Sequence, residues 1–84
     1  MTILKFGTSH CPQCKMQERE LIKLDDNITM EFIDAEEQEN LTEAFKVSTV
    51  PTTIVLNDSS EEVLRYTGFT KAEKIQEDIN NLTN

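Results

Sequence analysis

Two cysteines, the whole complement of this 84-residue chain, stand three positions apart at Cys11 and Cys14. They follow the apolar-rich run Ile3-Leu4-Lys5-Phe6 and precede a stretch that reads as helix. A disulfide between residues so near in sequence closes a very small loop, and the stabilisation a crosslink gives grows with the loop it closes. Such a bridge adds little to a fold and is suited to being made and broken. With Cys11 as the residue capping the helix, Pro12 takes the first helical position, where its missing N–H costs nothing and its fixed φ is already helical. Cys14 then falls in the first turn. Both sulfurs lie near the unpaired N–H groups and positive end of the helix, which favour thiolate over thiol. A free cysteine titrates at about 8.5, and helix N-termini or CxxC settings bring this to roughly 3.5–7.5. The thiolate is the attacking species in disulfide exchange, so the placement points to dithiol chemistry rather than to a structural crosslink.

Composition narrows the classes. A single domain over residues 1–84 is expected, burying roughly 60–65% of its unfolded surface around a small core. Sixteen acidic against eight basic residues leave a net charge of −8, which repels phosphate backbones and anionic lipid surfaces. Nucleic acid and membranes are therefore not expected partners, and no apolar stretch approaches the roughly 20 residues of a spanning helix. Met1-Thr2-Ile3-Leu4-Lys5 lacks the basic region and long apolar segment of an export signal. The expectation is a soluble, cytoplasmic monomer, in which the glycosylation tripeptides at Asn27, Asn40, Asn57 and Asn81 carry no weight. In a reducing compartment two thiols stay reduced unless they cycle or hold a metal.

Along the chain, Thr2 to Phe6 reads as a buried strand ending at the loop Gly7-Thr8-Ser9. The helix from Pro12 carries apolar marks at Met16, Leu21, Ile22 and Leu24, with Gln17-Glu18-Arg19-Glu20 turned to water. Ile28, Met30 and Phe32 share one side of a second strand, with Ile33 on the other. A short helix is expected with Asn40 as its cap and Glu43 as capping partner, presenting Leu41, Ala44 and Phe45 on one face. Thr52 to Leu56 and Glu61 to Thr67 form a hairpin around Asn57-Asp58-Ser59-Ser60. The last helix opens at Thr70 with Glu73, and Ala72, Ile75, Ile79 and Leu82 line its inner face. The order is βαβαββα, an α/β arrangement with one mixed sheet covered by helices.

Two further features bear on chemistry. Pro51, in Val50-Pro51-Thr52, stands directly before Ile54-Val55-Leu56, where a central strand would lose a ladder hydrogen bond. Either the Val50-Pro51 bond is cis, exposing the Val50 backbone to a substrate strand, or the proline is an ordinary trans residue at a strand's start. Gly68, between Thr67 and Phe69, allows close backbone approach or a positive φ, or simply turns the chain.

A strand, CxxC opening a helix, a βα unit, Val-Pro-Thr before a hairpin, and a glycine ahead of the final helix together resemble the thioredoxin/glutaredoxin superfamily. The resemblance runs from Thr2 to about Leu82 and is closest to its smaller, glutaredoxin-sized members, which lack the extra N-terminal βα unit. It implies a minimal thioredoxin fold, a central four-stranded mixed sheet flanked by three helices. It also implies a thiol–disulfide oxidoreductase that reduces protein disulfides through a reversible Cys11–Cys14 pair, with no other cofactor. Cys11 would be the exposed nucleophile and Cys14 the buried thiol that resolves the mixed disulfide. Pro51 would be the family's cis-proline, with Thr49, Val50 and Thr52 in the substrate groove and Gly68 on its rim. A flavoenzyme of the thioredoxin-reductase type would supply electrons.

Departures from the family pattern sit around the motif. Lys5 occupies the place of a buried aspartate six residues before the first cysteine, His10 replaces a tryptophan, and Pro12-Gln13 stands between the cysteines. A protonated His10 would support the Cys11 thiolate, and Lys15 would act in the same sense. The glutathione-binding alternative expects a glycine pair and an acidic residue after the proline strand, and Asn57 to Glu62 holds no glycine. A small copper chaperone is a rival of another class, but such proteins run βαββαβ and place a methionine before their CxxC, where Thr8-Ser9-His10 stands here. Zinc wants four ligands, more than one histidine and two cysteines provide. A non-enzymatic interaction module with incidental cysteines is the third reading, and disulfide-reduction activity separates it from the first.

Overall fold

Two strands are buried along almost their whole length, β1 (Thr2–Gly7) and β3 (Thr52–Leu56), in the computed structural model, which describes residues 1–82. Strands covered on both faces read as continuous apolar runs rather than alternating ones, and these two occupy the centre of the sheet. The remaining elements are α1 (Pro12–Leu21), β2 (Thr29–Asp34), α2 (Glu39–Ala44), β4 (Glu62–Thr67) and α3 (Ala72–Leu82). Strand order is β2-β1-β3-β4. β1 runs parallel to β2, from Thr2↔Thr29 to Gly7↔Asp34, and antiparallel to β3, which is antiparallel to β4. This is the expected βαβαββα order and the thioredoxin fold.

The sheet separates two apolar layers. Ile3 and Val55 pack with Leu21, Leu24, Ala72, Ile75 and Ile79 under α1 and α3. Leu4, Phe6, Ile33, Ile54 and Leu56 form the other layer, under Leu41, Phe45 and Val47 around α2. The Phe6 and Phe45 rings are 5.8 Å apart and tilted by 55°. Each fully buried large apolar side chain contributes about 1.5–3 kcal/mol over an exposed one, so Ile3, Phe6, Leu21, Ile54 and Ile75 supply much of the stability.

Several local expectations are corrected. Because α1 begins at Pro12, its inner stripe is Cys14, Gln17 and Leu21, leaving Met16 and Ile22 exposed and Gln17 fully buried. The helix ends at Leu21, ahead of Leu24 and of the Asp25-Asp26-Asn27 run expected to stop it. α2 begins at Glu39 after Gln38, so Asn40 lies inside the helix and does not cap it, and Ala44 is exposed. The Asp34 carboxylate instead accepts the N–H groups of Glu36 and Glu37. α3 starts at Ala72 and not at Thr70, because Glu20 of α1 accepts the Ala72 N–H at 2.9 Å. That bond, with Lys23 beside it, holds the Glu20 carboxyl below the usual range. Leu82 is exposed rather than on the inner face. The hairpin turn between β3 and β4 is held by Asn57, whose Oδ1 accepts the N–H groups of Ser59 and Glu61.

Candidate active site

One end of the sheet gathers the residues singled out in the sequence. Gly7 pairs with Asp34, Phe6 with Thr52, and Thr52 with Thr67, so Gly7, Pro51 and Gly68 come level at the ends of β1, β3 and β4. The Gly68 N–H donates to the Pro51 carbonyl at 2.8 Å, tying the last two together. Gly68 has φ +88°, a conformation glycine adopts without the steric penalty of a side chain. The Val50-Pro51 peptide bond is cis and Pro51 is buried. Thr52 is buried too, and its hydroxyl donates to the Thr49 carbonyl at 2.7 Å. Thr49 is exposed and Val50 half-buried, which leaves the backbone ahead of Pro51 at the surface.

Cys11 and Cys14 meet this end from the start of α1. Cys11 is the N-cap, extended at φ −106° and ψ 103°, and Pro12 enters the first turn. The Cys11 carbonyl accepts the N–H groups of Cys14 and Lys15, and its Sγ accepts the Cys14 N–H at 3.1 Å. A backbone donor aimed at that sulfur favours its charged form in the reduced protein. The two residues are joined as a disulfide, their Cα atoms 5.2 Å apart. Cys11 is half-buried and Cys14 only 1% exposed, so an approaching molecule meets the Cys11 sulfur. His10, Pro12 and Gln13 are exposed around it. His10 makes no hydrogen bond or ion pair among the described residues.

Three more residues complete the site: Gly7 and Gln17, to which sequence reasoning gave no role in it, and Lys5, noted there only as a departure from the family pattern. A side chain beginning at Gly7 would stand 3.1 Å from both Cβ and Sγ of Cys14, so glycine lets α1 pack its cysteine onto β1. Gln17, one turn beyond Cys14, uses both ends of its amide on the Thr70 backbone, fixing the segment that follows Gly68. Lys5 lies buried at the place flagged as a missing aspartate, its Nζ paired with Glu18 at 2.9 Å. A glycine closing a buried strand and a lysine inside one were the available signals.

Hollows of about 590 and 580 Å³ lie against α2 and between the end of α1 and α3. Neither is lined by a cysteine, so the sulfurs are approached across a surface. No three His, Cys, Asp or Glu side chains are grouped to hold a metal among the described residues, and none of their helices is long and apolar enough to cross a membrane.

Comparison with known proteins agrees with this geometry. The thioredoxin-like domain model matches residues 1–83. The SPbeta prophage-derived thioredoxin-like protein YosR of Bacillus subtilis is 36% identical over 69 residues, covering 82% of this chain and 84% of that protein. Thioredoxin 1 of the thermophilic eubacterium Thermosipho africanus superposes with a TM-score of 0.87 at 26% identity, over 99% of this chain and 94% of that one. Thioredoxin-2 of the malaria parasite superposes at 0.86, also at 26% identity, over 95% of this chain and 81% of that one.

Proposed function

The chain belongs to the thioredoxin-like domain family, whose fold and paired cysteines support thiol–disulfide oxidoreductase chemistry, and from that premise we propose that it reduces protein disulfides. The observation that carries this reading is the asymmetry of the pair. Cys11 offers an accessible sulfur hydrogen-bonded by a helix N-terminal amide, and Cys14 is sealed beneath it. In the reduced protein the Cys11 thiolate attacks one sulfur of a client disulfide, and the other client sulfur leaves as a thiolate. The Cys14 thiolate then attacks Cys11 Sγ in the mixed disulfide, and the second client sulfur departs. Two electrons pass to the client, and the Cys11–Cys14 disulfide returns to the dithiol through a protein reductant of the thioredoxin-reductase flavoenzyme type. No prosthetic group beyond the cysteine pair takes part.

The client backbone lies along Thr49 and Val50 ahead of Pro51, with Gly68 on the rim, and the buried Thr52 takes part only from beneath, holding the Thr49 carbonyl through its hydroxyl. His10, when protonated, supports the Cys11 thiolate through its charge. The chain acts as a monomer in a reducing compartment, the cytoplasm, where a recycled dithiol remains useful.

Turnover of a protein disulfide with dithiothreitol as electron source tests the reading. Cys11→Ser abolishes turnover, and Cys14→Ser accumulates a dithiothreitol-sensitive adduct between Cys11 and the client. Turnover undiminished in either variant refutes it.

A further inference from the structure

Beneath Cys14 lies a charge that the reaction just described leaves unused. Lys5, in the middle of β1, is 4% exposed, donates from Nζ to Glu18 Oε1 at 2.9 Å and stands 5.3 Å from the centre of the Phe32 ring. Withdrawing an ammonium from water costs several kcal/mol unless it is well paired, and an apolar residue at such a position often stabilises as well or better. Packing alone therefore does not account for a lysine here.

Its location does. The point where a Gly7 side chain would begin is 2.8 Å from Lys5 Nζ and 3.1 Å from Cys14 Sγ. The two atoms are thus within about 6 Å of each other, the range over which a charge shifts a neighbour's titration. Gly7 keeps the space between them free of a side chain. Glu18 is four residues after Cys14, on the same face of α1, and its half-exposed carboxylate reaches a cleft of about 210 Å³ shared with Lys5, Gly7, Phe32 and Asp34. That cleft connects the ion pair to bulk water.

We propose that Lys5 is a positioning residue for the resolving cysteine: its ammonium stabilises the Cys14 thiolate, and Glu18 is the counter-ion that limits how much of that charge the sulfur feels. The inference rests on the reading that Cys14 resolves the mixed disulfide. In that step the Cys14 thiol gives up its proton to solvent and the thiolate attacks Cys11 Sγ. The bond from Cys11 to the client breaks, and the client sulfur leaves with the electron pair, to be protonated by solvent.

Other charges around the sulfur are placed differently. Lys15 on α1, His10 before it and Lys71 before α3 are exposed, and Asp34 on β2 is engaged with the Glu36 and Glu37 amides. The neighbouring residues of β3, Thr52 and Thr53, are uncharged. Cys11 is the remaining titrating group, and it is common to every variant below.

Reduced protein carrying ¹³C at the cysteine β carbons, followed by NMR through a pH series, reads the Cys14 titration directly. Lys5→Met raises its midpoint by about one unit, a tenfold loss of thiolate near neutral pH, and slows resolution of the mixed disulfide in step. Lys5→Arg keeps the charge and restores the midpoint, and Glu18→Gln moves it downward. A lysine that merely packs would leave the Cys14 midpoint where it is in Lys5→Met, or move it without Lys5→Arg restoring it. An unchanged midpoint in Lys5→Met overturns the proposal even where the natural chain turns over protein disulfides. Should Lys5→Met not fold, Glu18→Gln on the half-exposed helix face decides: no downward shift overturns it. Midpoints that move as expected in a chain without turnover support the coupling and refute the reductase reading instead.

Discussion

Gln17 and Thr70 are joined at both ends of one amide: Nε2 donates to the Thr70 carbonyl at 2.9 Å, and the Thr70 N–H donates to Oε1 at 2.8 Å. The pair fastens the segment after Gly68 to the buried stripe of α1, one turn from Cys14. Gln17→Leu removes both partners and leaves two backbone groups unpaired, at a cost of about 2–4 kcal/mol. A lower urea midpoint at unchanged slope is the expected outcome.

Gly7→Ala tests the contact between β1 and the CxxC helix. Its new methyl would stand 2.8 Å from Lys5 Nζ and 3.1 Å from the Cys14 Cβ and Sγ, so the lysine end must shift and the buried cysteine must give by a few tenths of an ångström. Overpacking of this kind costs about 1–3 kcal/mol, to be read in the same denaturation experiment.

Thr53 has the opposite expectation. It pairs with Lys5 across the sheet, is fully buried, and its hydroxyl has no hydrogen-bond partner among the described residues. Thr53→Val keeps the shape and removes the unsatisfied group, so stability rises by up to about 1 kcal/mol. A loss of stability would reveal a bond that the hydroxyl makes to solvent or protein.

The Tyr66 hydroxyl donates to Asp78 Oδ2 at 2.7 Å, and Lys74 donates to Oδ1 at 3.0 Å. The tyrosine bond first, and Lys74 second, hold the Asp78 carboxyl below its ordinary range. Burial first, and then Asp78, push the Tyr66 phenol above its ordinary value. For Asp78, with its folded value lowered, the stability is present above the ordinary carboxylate range and is lost as pH falls through the lowered value. For Tyr66, with its folded value raised, the stability is present below the ordinary phenol value and is lost as pH rises beyond it. Tyr66→Phe therefore flattens the urea-midpoint profile at both edges, below about pH 4 and above about pH 10. Unchanged edges would remove the pair from the account.

The element order was legible because each period is distinct: continuous apolar runs for the central strands β1 and β3, and a spaced stripe at Ala72, Ile75 and Ile79 for α3. The cysteine motif was legible because Pro12 fixes where α1 begins. Residue type alone does not set the phase of a helix, and so Met16 and Ile22 read as core and Gln17 as surface. Caps failed for a related reason. Asn40 and Thr70 have suitable chemistry locally, but Glu20 reaches the Ala72 amide from 52 residues away, and only the assembled fold brings it there. The burial of Lys5 depends likewise on Glu18 and Phe32 from two other elements. Polarity along one strand holds no trace of either.

Equilibrating the chain in dithiol and glutathione redox buffers, with thiol trapping of Cys11 and Cys14, tests the oxidoreductase account most directly. The expected result is a single reversible two-electron transition, at a potential below the roughly −220 to −260 mV of a cytosolic glutathione pool, as a reductant of protein disulfides requires. A pair that stays reduced in oxidised glutathione, or one that dithiothreitol does not open, would contradict it.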